Sequence, residues 1–197
     1  MDASEFEQFL KFAEEDALFG KSDAEKVKTF IHWCKKNGFE ELIIRLSSET
    51  KGGWGENFLL DFTTNRLIIS KKKFIKKFVD LGYIAGMAPL PYSLVSKKKL
   101  KSSDLSDKSI NINPEDMLKN NNSNFFIPYS EIQELIIRKG TDTIVTNMLG
   151  SMITTNFLTI RTSKKGYYYR IPVNKNGTFE EVQYWLSTVI PVKVFSY

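Results

Sequence analysis

The sequence has little of what most catalytic and metal sites are built from. It contains one cysteine, Cys34, and one histidine, His32, among 197 residues. A single cysteine excludes an intrachain disulfide and a cysteine-based zinc cluster. His32 has no partner motif such as G-x-S-x-G or H-E-x-x-H, and Cys34 falls on an apolar helical stripe that predicts a small buried residue. We therefore expect no catalytic residue, no metal site, no cofactor and no enzymatic activity.

Long apolar runs are missing as well. The longest weakly charged run, residues 81–96, is interrupted by two prolines and two glycines. It is too short and too broken to cross a bilayer. The acidic start "MDASEFEQFL" has neither the positive region nor the apolar region of a signal peptide. These absences predict a cytoplasmic protein, and 42% hydrophobic residues are enough for the core of one domain with a small appendage.

The first 38 residues predict a pair of helices. Ser4 with Glu7, and Ser22 with Glu25, fit the capping box in which serine and glutamate satisfy free backbone N–H groups. Asn37-Gly38 is predicted to end the second helix. Apolar residues recur at helical spacing in each half, namely Phe6, Phe9, Leu10 and Ala13, then Val27, Phe30, Ile31 and Cys34.

After residue 38 the spacing of apolar residues changes from the helical period of about 3.6 toward the strand period of about 2. "FLLDF" and "RLIIS" predict a hairpin through residues 63–65, and "NFLTIRT" and "YYYRIPV" predict another through residues 163–166. Six or seven antiparallel strands are followed by a closing helix with a third capping box, Thr178 with Glu181. Its apolar stripe is Val182, Trp185, Leu186 and Val189. The pattern predicts an α+β, mainly β fold, an antiparallel β-sandwich or partly open barrel closed by a C-terminal helix.

Three segments resemble a known family. They are "LDFTTNRLIIS" (60–70), "FIPYSEIQELIIRKG" (126–140) and "FEEVQYWLSTV" (179–189). Together they are similar to a pleckstrin-homology-like (PH-like) domain of the GRAM or bacterial PH type. The resemblance implies a seven-stranded bent sandwich over residues 39–197 and a role in binding rather than catalysis. It covers neither the N-terminal helical pair, 1–38, nor a long insert at about 71–124.

The insert carries the local excess of positive charge. From Lys71 to Lys101 there are nine lysines and one acid, Asp80, which gives +8; because the whole chain carries +5, the other residues sum to −3. Phe74 and Phe78 would share one face of a helix among these lysines. A short basic amphipathic helix of this kind can lie in a membrane interface. We therefore predict a ligand- or membrane-binding set of Lys71, Lys72, Lys73, Phe74, Lys76, Lys77, Phe78, Lys97, Lys98, Lys99 and Lys101.

Three other interpretations remain open. Phe74 and Phe78 could pack on the sandwich or on the helical pair and leave the lysines as a solvated face. The helical pair and the insert could instead form a protein-interaction scaffold or an oligomer interface. Lysines interleaved with aromatic residues also suit nucleic acid, but Arg66 is the one arginine at the edge of the patch, so such binding would be non-specific. The leading prediction is a binding module that associates peripherally with anionic membrane surfaces or lipid head groups.

Overall fold

The computed structural model describes residues 3–15, 20–48, 57–71, 114–119, 121–146 and 149–197. These residues form an α+β structure composed mainly of strands, which confirms the predicted class. In chain order the elements are α1 (Ala3–Glu15), α2 (Asp23–Asn37), β1 (Leu42–Ser48), β2 (Phe58–Thr63), β3 (Arg66–Lys71), α3 (Pro114–Lys119), β4 (Phe125–Pro128), a 3₁₀ turn (Tyr129–Glu131), β5 (Ile132–Thr146), β6 (Leu149–Thr162), β7 (Gly166–Pro172), α4 (Val173–Asn176), α5 (Phe179–Val189) and β8 (Lys193–Ser196).

The strands make two four-stranded sheets. Sheet A has the order β1-β2-β3-β4, and sheet B has the order β7-β6-β5-β8. Both predicted hairpins, β2–β3 and β6–β7, are present and antiparallel. The prediction that all strands are antiparallel is wrong at one edge of sheet B. There an additional strand, β8, follows α5 and runs parallel to β5. A strand of four residues offers too short an alternation to be recognised in the sequence.

The core lies between the sheets and under α5. Alternate residues of the strands point into one hydrophobic cluster, to which sheet A contributes Leu60 and Leu67 and sheet B contributes Leu135 and Leu158. The predicted stripe of α5 is confirmed. Val182, Leu186 and Val189 are buried, and Trp185 is half-buried against the same cluster.

The N-terminal helices bury Phe9 and Ala13 of α1, and Val27, Phe30 and Cys34 of α2, in that same cluster. The capping box of Ser22 with Glu25 is present, and Gly38 ends α2 with a φ of 76°. The ring of Phe9 contacts the ring of Trp33, which is buried although it lies off the predicted stripe. The first predicted capping box is wrong, because Ser4 lies inside α1. Helix α2 also contacts α5. The N-terminal helical pair and the C-terminal helix therefore cover the core together.

Two of the segments that carry the family resemblance are in contact. β3 and β4 pair with Leu67 opposite Ile127. The buried hydroxyl of Tyr129 donates a hydrogen bond to the carbonyl of Thr63, at 2.6 Å. Burial raises the pKa of Tyr129. The phenol therefore stays protonated and fixes the β2–β3 turn against the 3₁₀ turn.

One asparagine joins the sheets at a corner. The Asn176 amide accepts a hydrogen bond from the Ser47 N–H (2.6 Å) and donates to the carbonyls of Ser47 (2.9 Å) and Pro172 (2.8 Å). Its side chain is fully buried. Asn176, just after β7, thus satisfies the hydrogen-bonding capacity of backbone groups in β1. The same bonds hold the end of β7 against sheet A.

Candidate functional site

Two connections leave sheet A from the same end. Ser48, the last residue of β1, lies opposite Phe58, the first residue of β2. Lys71, the last residue of β3, also lies opposite Phe58. The β1–β2 connection and the insert therefore start beside each other. We call this edge of the molecule the insert end.

Strand β7 crosses the insert end. Near its start, the ring of Tyr167 stacks on the ring of Phe125 in β4, with centroids 5.5 Å apart. Two residues later the ring of Tyr169 meets the ring of Phe58 edge-on at 6.1 Å. Beyond β7, Asn176 reaches Ser47 on β1. The β6–β7 turn, residues 163–165, is thereby brought to the same end as the insert.

The four rings form a half-buried aromatic cluster at this end. Phe58, Phe125, Tyr167 and Tyr169 all pack against the edge of the hydrophobic core and all keep some exposure to solvent. Burial is the main reason that the pKa of Tyr169 is raised. The four rings present aromatic surface between the two sheets, a surface type common in ligand and interface sites.

A lysine lies over this aromatic cluster. The Lys165 ammonium is 4.7 Å from the centroid of the Tyr167 ring and 6.0 Å from that of Phe125. A cation at this distance from a ring face is attracted by the ring quadrupole. The neighbouring Lys164 ammonium lies 3.9 Å from the carboxylate of Glu131, in a pair of exposed side chains. The turn thus adds two lysines to the insert end.

The insert is attached to sheet A at both of its ends. The Lys71 N–H donates to the Asn124 side-chain oxygen at 2.9 Å, which holds the departing and returning chain together. Residues 114–119 form α3, which contacts β3, and the Arg66 guanidinium bonds the carboxylates of Glu115 and Glu40. We call the Lys71–Asn124 contact the neck. Arg66, the arginine that borders the basic patch in sequence, belongs to this scaffold.

Of the predicted binding residues, the structure describes Lys71, which is half-buried at the neck. The other ten predicted residues lie outside the described residues. Lys165 and the rings of Phe125 and Tyr167 were not among the predicted binding residues. The strand alternation places Tyr167 and Tyr169 on one face, but no sequence signal indicates that β4 lies beneath them.

The most deeply buried charge in the described residues lies away from this end. Asp61 on β2 is fully buried, and Arg45 on β1 holds its carboxylate with two hydrogen bonds of 2.5 and 3.2 Å. These residues face away from the core cluster, because their neighbours Leu46 and Leu60 point into it. Burial raises the pKa of Asp61, and the guanidinium of Arg45 opposes that rise.

The two residues weighed for catalysis are placed apart from the insert end, on α2. His32 is exposed and Cys34 is buried. Burial raises the pKa of Cys34 to about 12, so the thiol stays protonated at neutral pH. Within the described ranges, no three His, Cys, Asp or Glu side chains are grouped so that they could hold a metal ion. None of the helices in those ranges has the length and apolar character needed to cross a membrane.

Comparison with known proteins gives no counterpart for this arrangement. No family model, no curated protein and no solved structure matches the chain. The support for a function therefore comes from the insert end itself.

Proposed function

We propose that this chain is a non-enzymatic binding module that associates with anionic membrane surfaces or lipid head groups through its basic insert. The observation that carries the proposal is the neck. The hydrogen bond between Lys71 and Asn124 joins the two ends of the insert. Beside it lie the rings of Phe125 and Tyr167 with Lys165 above them. The two ends of the basic insert therefore meet at the basic, aromatic insert end.

The distribution of charge favours an anionic surface. The segment 71–101 carries +8, and the rest of the chain sums to −3. A lysine near an anionic bilayer contributes on the order of 1 kcal/mol, and this attraction is screened by salt. Lys164 and Lys165 of the β6–β7 turn add the same sign of charge to the described residues of the insert end. A flat anionic surface can meet both at once.

The aromatic residues of the insert supply a second kind of attraction. Phe74, Ile75 and Phe78 alternate with lysines at helical spacing. Burying apolar surface contributes about 25 cal/mol per Å² and is not screened by salt. We propose that lysines bring the insert to the surface and that these side chains hold it there. The protein is then peripheral at the membrane.

The strand order supports a PH-like identity as part of this proposal. Strands β1 to β4 form one antiparallel meander, β5 to β7 form a second, and α5 follows. This number and order of strands, followed by a helix, supports the seven-stranded sandwich with a closing helix that the resemblance implies. β8, α1 and α2 are additions to it. In this interpretation the domain is a scaffold that presents the insert.

A protein-interaction scaffold is the second candidate. One observation favours it, namely exposed rings on the side of sheet B that faces away from the core. Tyr168 is 61% exposed, Phe195 is 39% exposed and Tyr197 is 73% exposed. Aromatic side chains are enriched at protein interfaces. Within the helical pair, Phe9 and Ala13 of α1 and Val27, Phe30 and Cys34 of α2 are buried in the core of this chain.

Sedimentation with lipid vesicles distinguishes the two candidates. We expect the full chain to pellet with anionic vesicles at low salt, to pellet less at raised salt, and to remain in solution with neutral vesicles. Long-range attraction to lysines requires this salt dependence. Equal behaviour with anionic and neutral vesicles would contradict the membrane proposal and favour the scaffold.

A further inference from the structure

The side of sheet B that faces away from the core has a defined order of side chains, set by the pairing of its four strands. Leu135 and Ile137 of β5 belong to the core cluster, whereas Ile136 between them does not. The strand alternation therefore turns Ile136 and its cross-strand neighbours to the other side, which we call the outer face. From β7 to β8, its central row is Tyr168, Thr159, Ile136 and Phe195.

Aromatic rings lie on the outer face in two groups. On β6 and β7, the ring of Phe157 stacks on the ring of Tyr168, with centroids 5.6 Å apart. The second group is Phe195 on β8 and Tyr197 just after it, whose backbone bonds β5 on both sides of Arg138. Tyr168, Phe195 and Tyr197 are exposed. Tyr168 and Phe195 share a row and are three strand spacings of about 4.8 Å apart, which places the groups roughly 14 Å from each other.

Arginine is concentrated on the outer face. The chain has five arginines, and three of them, Arg138, Arg161 and Arg170, belong to the two rows beside the central one. Arg138 lies on β5, between the two groups of rings, and its guanidinium is 5.9 Å from the centroid of the Tyr197 ring. Arg138 and Arg161 are exposed, and Arg170 is buried. The open part of the outer face thus combines rings with guanidinium groups.

The outer face has an excess of positive charge. Arg138, Arg161 and Lys193 are its exposed cations. In the central row and the rows on either side of it, the one acid is Glu134, whose carboxylate accepts a hydrogen bond from Arg161 at 2.5 Å. The three exposed cations therefore exceed the acid by two. Rings together with excess positive charge complement a partner that is both aromatic and anionic.

We propose that the outer face of sheet B binds single-stranded RNA, with bases stacked on its rings and phosphates beside its arginines. A four-stranded sheet with aromatic side chains on one face stacks two or three bases in this way. Guanidinium groups stack on bases and also bind phosphate through paired hydrogen bonds. The tyrosine hydroxyls and that of Thr159 lie on the same face, and the ribose 2′-hydroxyl gives them a partner that DNA lacks.

The arginines are the reason that RNA is favoured over a protein partner. Exposed rings alone also suit a protein surface, but excess cations among them require an anionic partner. An RNA strand supplies a base for each ring and a phosphate between successive bases, so both features of the outer face are used. This proposal does not rest on the membrane function, which uses the insert end.

Fluorescence anisotropy of the full chain with a labelled oligouridine of about eight nucleotides tests the proposal. Tyr168→Ala/Tyr197→Ala should raise the dissociation constant at least about tenfold, because each lost ring removes a stacking surface. Tyr168→Phe/Tyr197→Phe keeps both rings and should retain most of the binding. Arg138→Gln should raise the dissociation constant about fivefold and make it less dependent on salt. The matched control is Tyr184→Ala, which removes an exposed tyrosine on α5 and should bind as the unmodified chain does.

The lysines of the insert also attract phosphate, so a further variant separates charge from stacking. Replacing Lys71, Lys72, Lys73, Lys76 and Lys77 with glutamine should weaken oligouridine binding mainly at low salt. In that background the two tyrosine-to-alanine changes should still cost at least about tenfold. Oligouridine binding that is lost with these lysines but unaffected by Tyr168→Ala/Tyr197→Ala would overturn the proposal. Absence of binding at low salt would do the same and leave the rings to a protein partner, and equal binding of an oligothymidine of the same length would overturn the assignment to RNA.

Discussion

Replacing Arg45 with methionine should lower the free energy of unfolding by about 3–5 kcal/mol, the usual consequence of leaving one partner of a buried ion pair alone. The reason is that Asp61 has no exposed surface, and Arg45 gives its carboxylate two hydrogen bonds. Removing the guanidinium leaves a carboxylate without compensation inside the fold. Chemical denaturation followed by circular dichroism measures the loss.

The loss should depend on pH. In the variant, burial raises the pKa of Asp61 without opposition from Arg45, so the folded state retains a proton that the unfolded state releases near pH 4. Unfolding free energy therefore falls as pH rises above that value. The difference between Arg45→Met and the unmodified chain should be smaller at pH 5 than at pH 7.

Two controls complete this experiment. Arg45→Met/Asp61→Leu removes both charges and should recover most of the lost stability, because apolar replacement of a whole buried pair is close to neutral. Lys139→Met breaks an exposed pair with Glu180 and should change stability by less than about 1 kcal/mol. If Arg45→Met is as mild as Lys139→Met, the account of Asp61 as a buried charge is contradicted.

Replacing Lys71, Lys72, Lys73, Lys76 and Lys77 with glutamine should weaken binding to anionic vesicles at low salt by roughly a hundredfold or more. At about 1 kcal/mol for each lysine near the surface, three of the five are enough for that effect, because about 1.4 kcal/mol corresponds to a tenfold change in affinity. The thermal unfolding midpoint should change little, because glutamine keeps most of the side-chain length. Vesicle titration at fixed salt gives the affinity.

A second set of five lysines provides the matched control. Lys11, Lys28, Lys35, Lys36 and Lys193 are all exposed and lie on α1, α2 and β8. Their replacement with glutamine changes the net charge equally but leaves the insert intact. If both five-lysine variants lose binding to the same extent, net charge rather than the insert governs association.

The double variant Phe74→Ser/Phe78→Ser tests whether the two rings anchor the chain to the membrane or pack in the protein core. We expect it to fold, to bind anionic vesicles at low salt, and to lose the binding that remains at high salt. Apolar contact is the part of the attraction that salt does not screen. A double variant that unfolds would show instead that both rings belong to the core.

Patterns local in sequence predicted most of the described fold. The β2–β3 hairpin, the stripe of α5 and the capping boxes of α2 and α5 depend on residues within a few positions of each other. Their signals are therefore complete within one segment. The burial of Trp33 was not predicted. It depends on contacts with Phe9 and Phe39, which lie outside α2.

The insert end was predicted only through its charge. The lysines of the insert are visible as a run, and Lys71 is found at the neck. The stacking of Tyr167 on Phe125 joins residues 42 positions apart and depends on how β7 crosses sheet A. That crossing is set in part by Asn176, whose role no local pattern indicates. β8 was missed for the related reason that its partner, β5, lies far away in sequence.

Amide hydrogen exchange on vesicles tests most directly whether the insert end meets the membrane. The full chain would be compared on anionic and neutral vesicles, with exchange followed peptide by peptide. The proposal predicts slower exchange on anionic vesicles in residues 72–113 and in the turn 163–165, and no change in α1 or α2. Slower exchange confined to sheet B or the helical pair, with the insert unchanged, would contradict it.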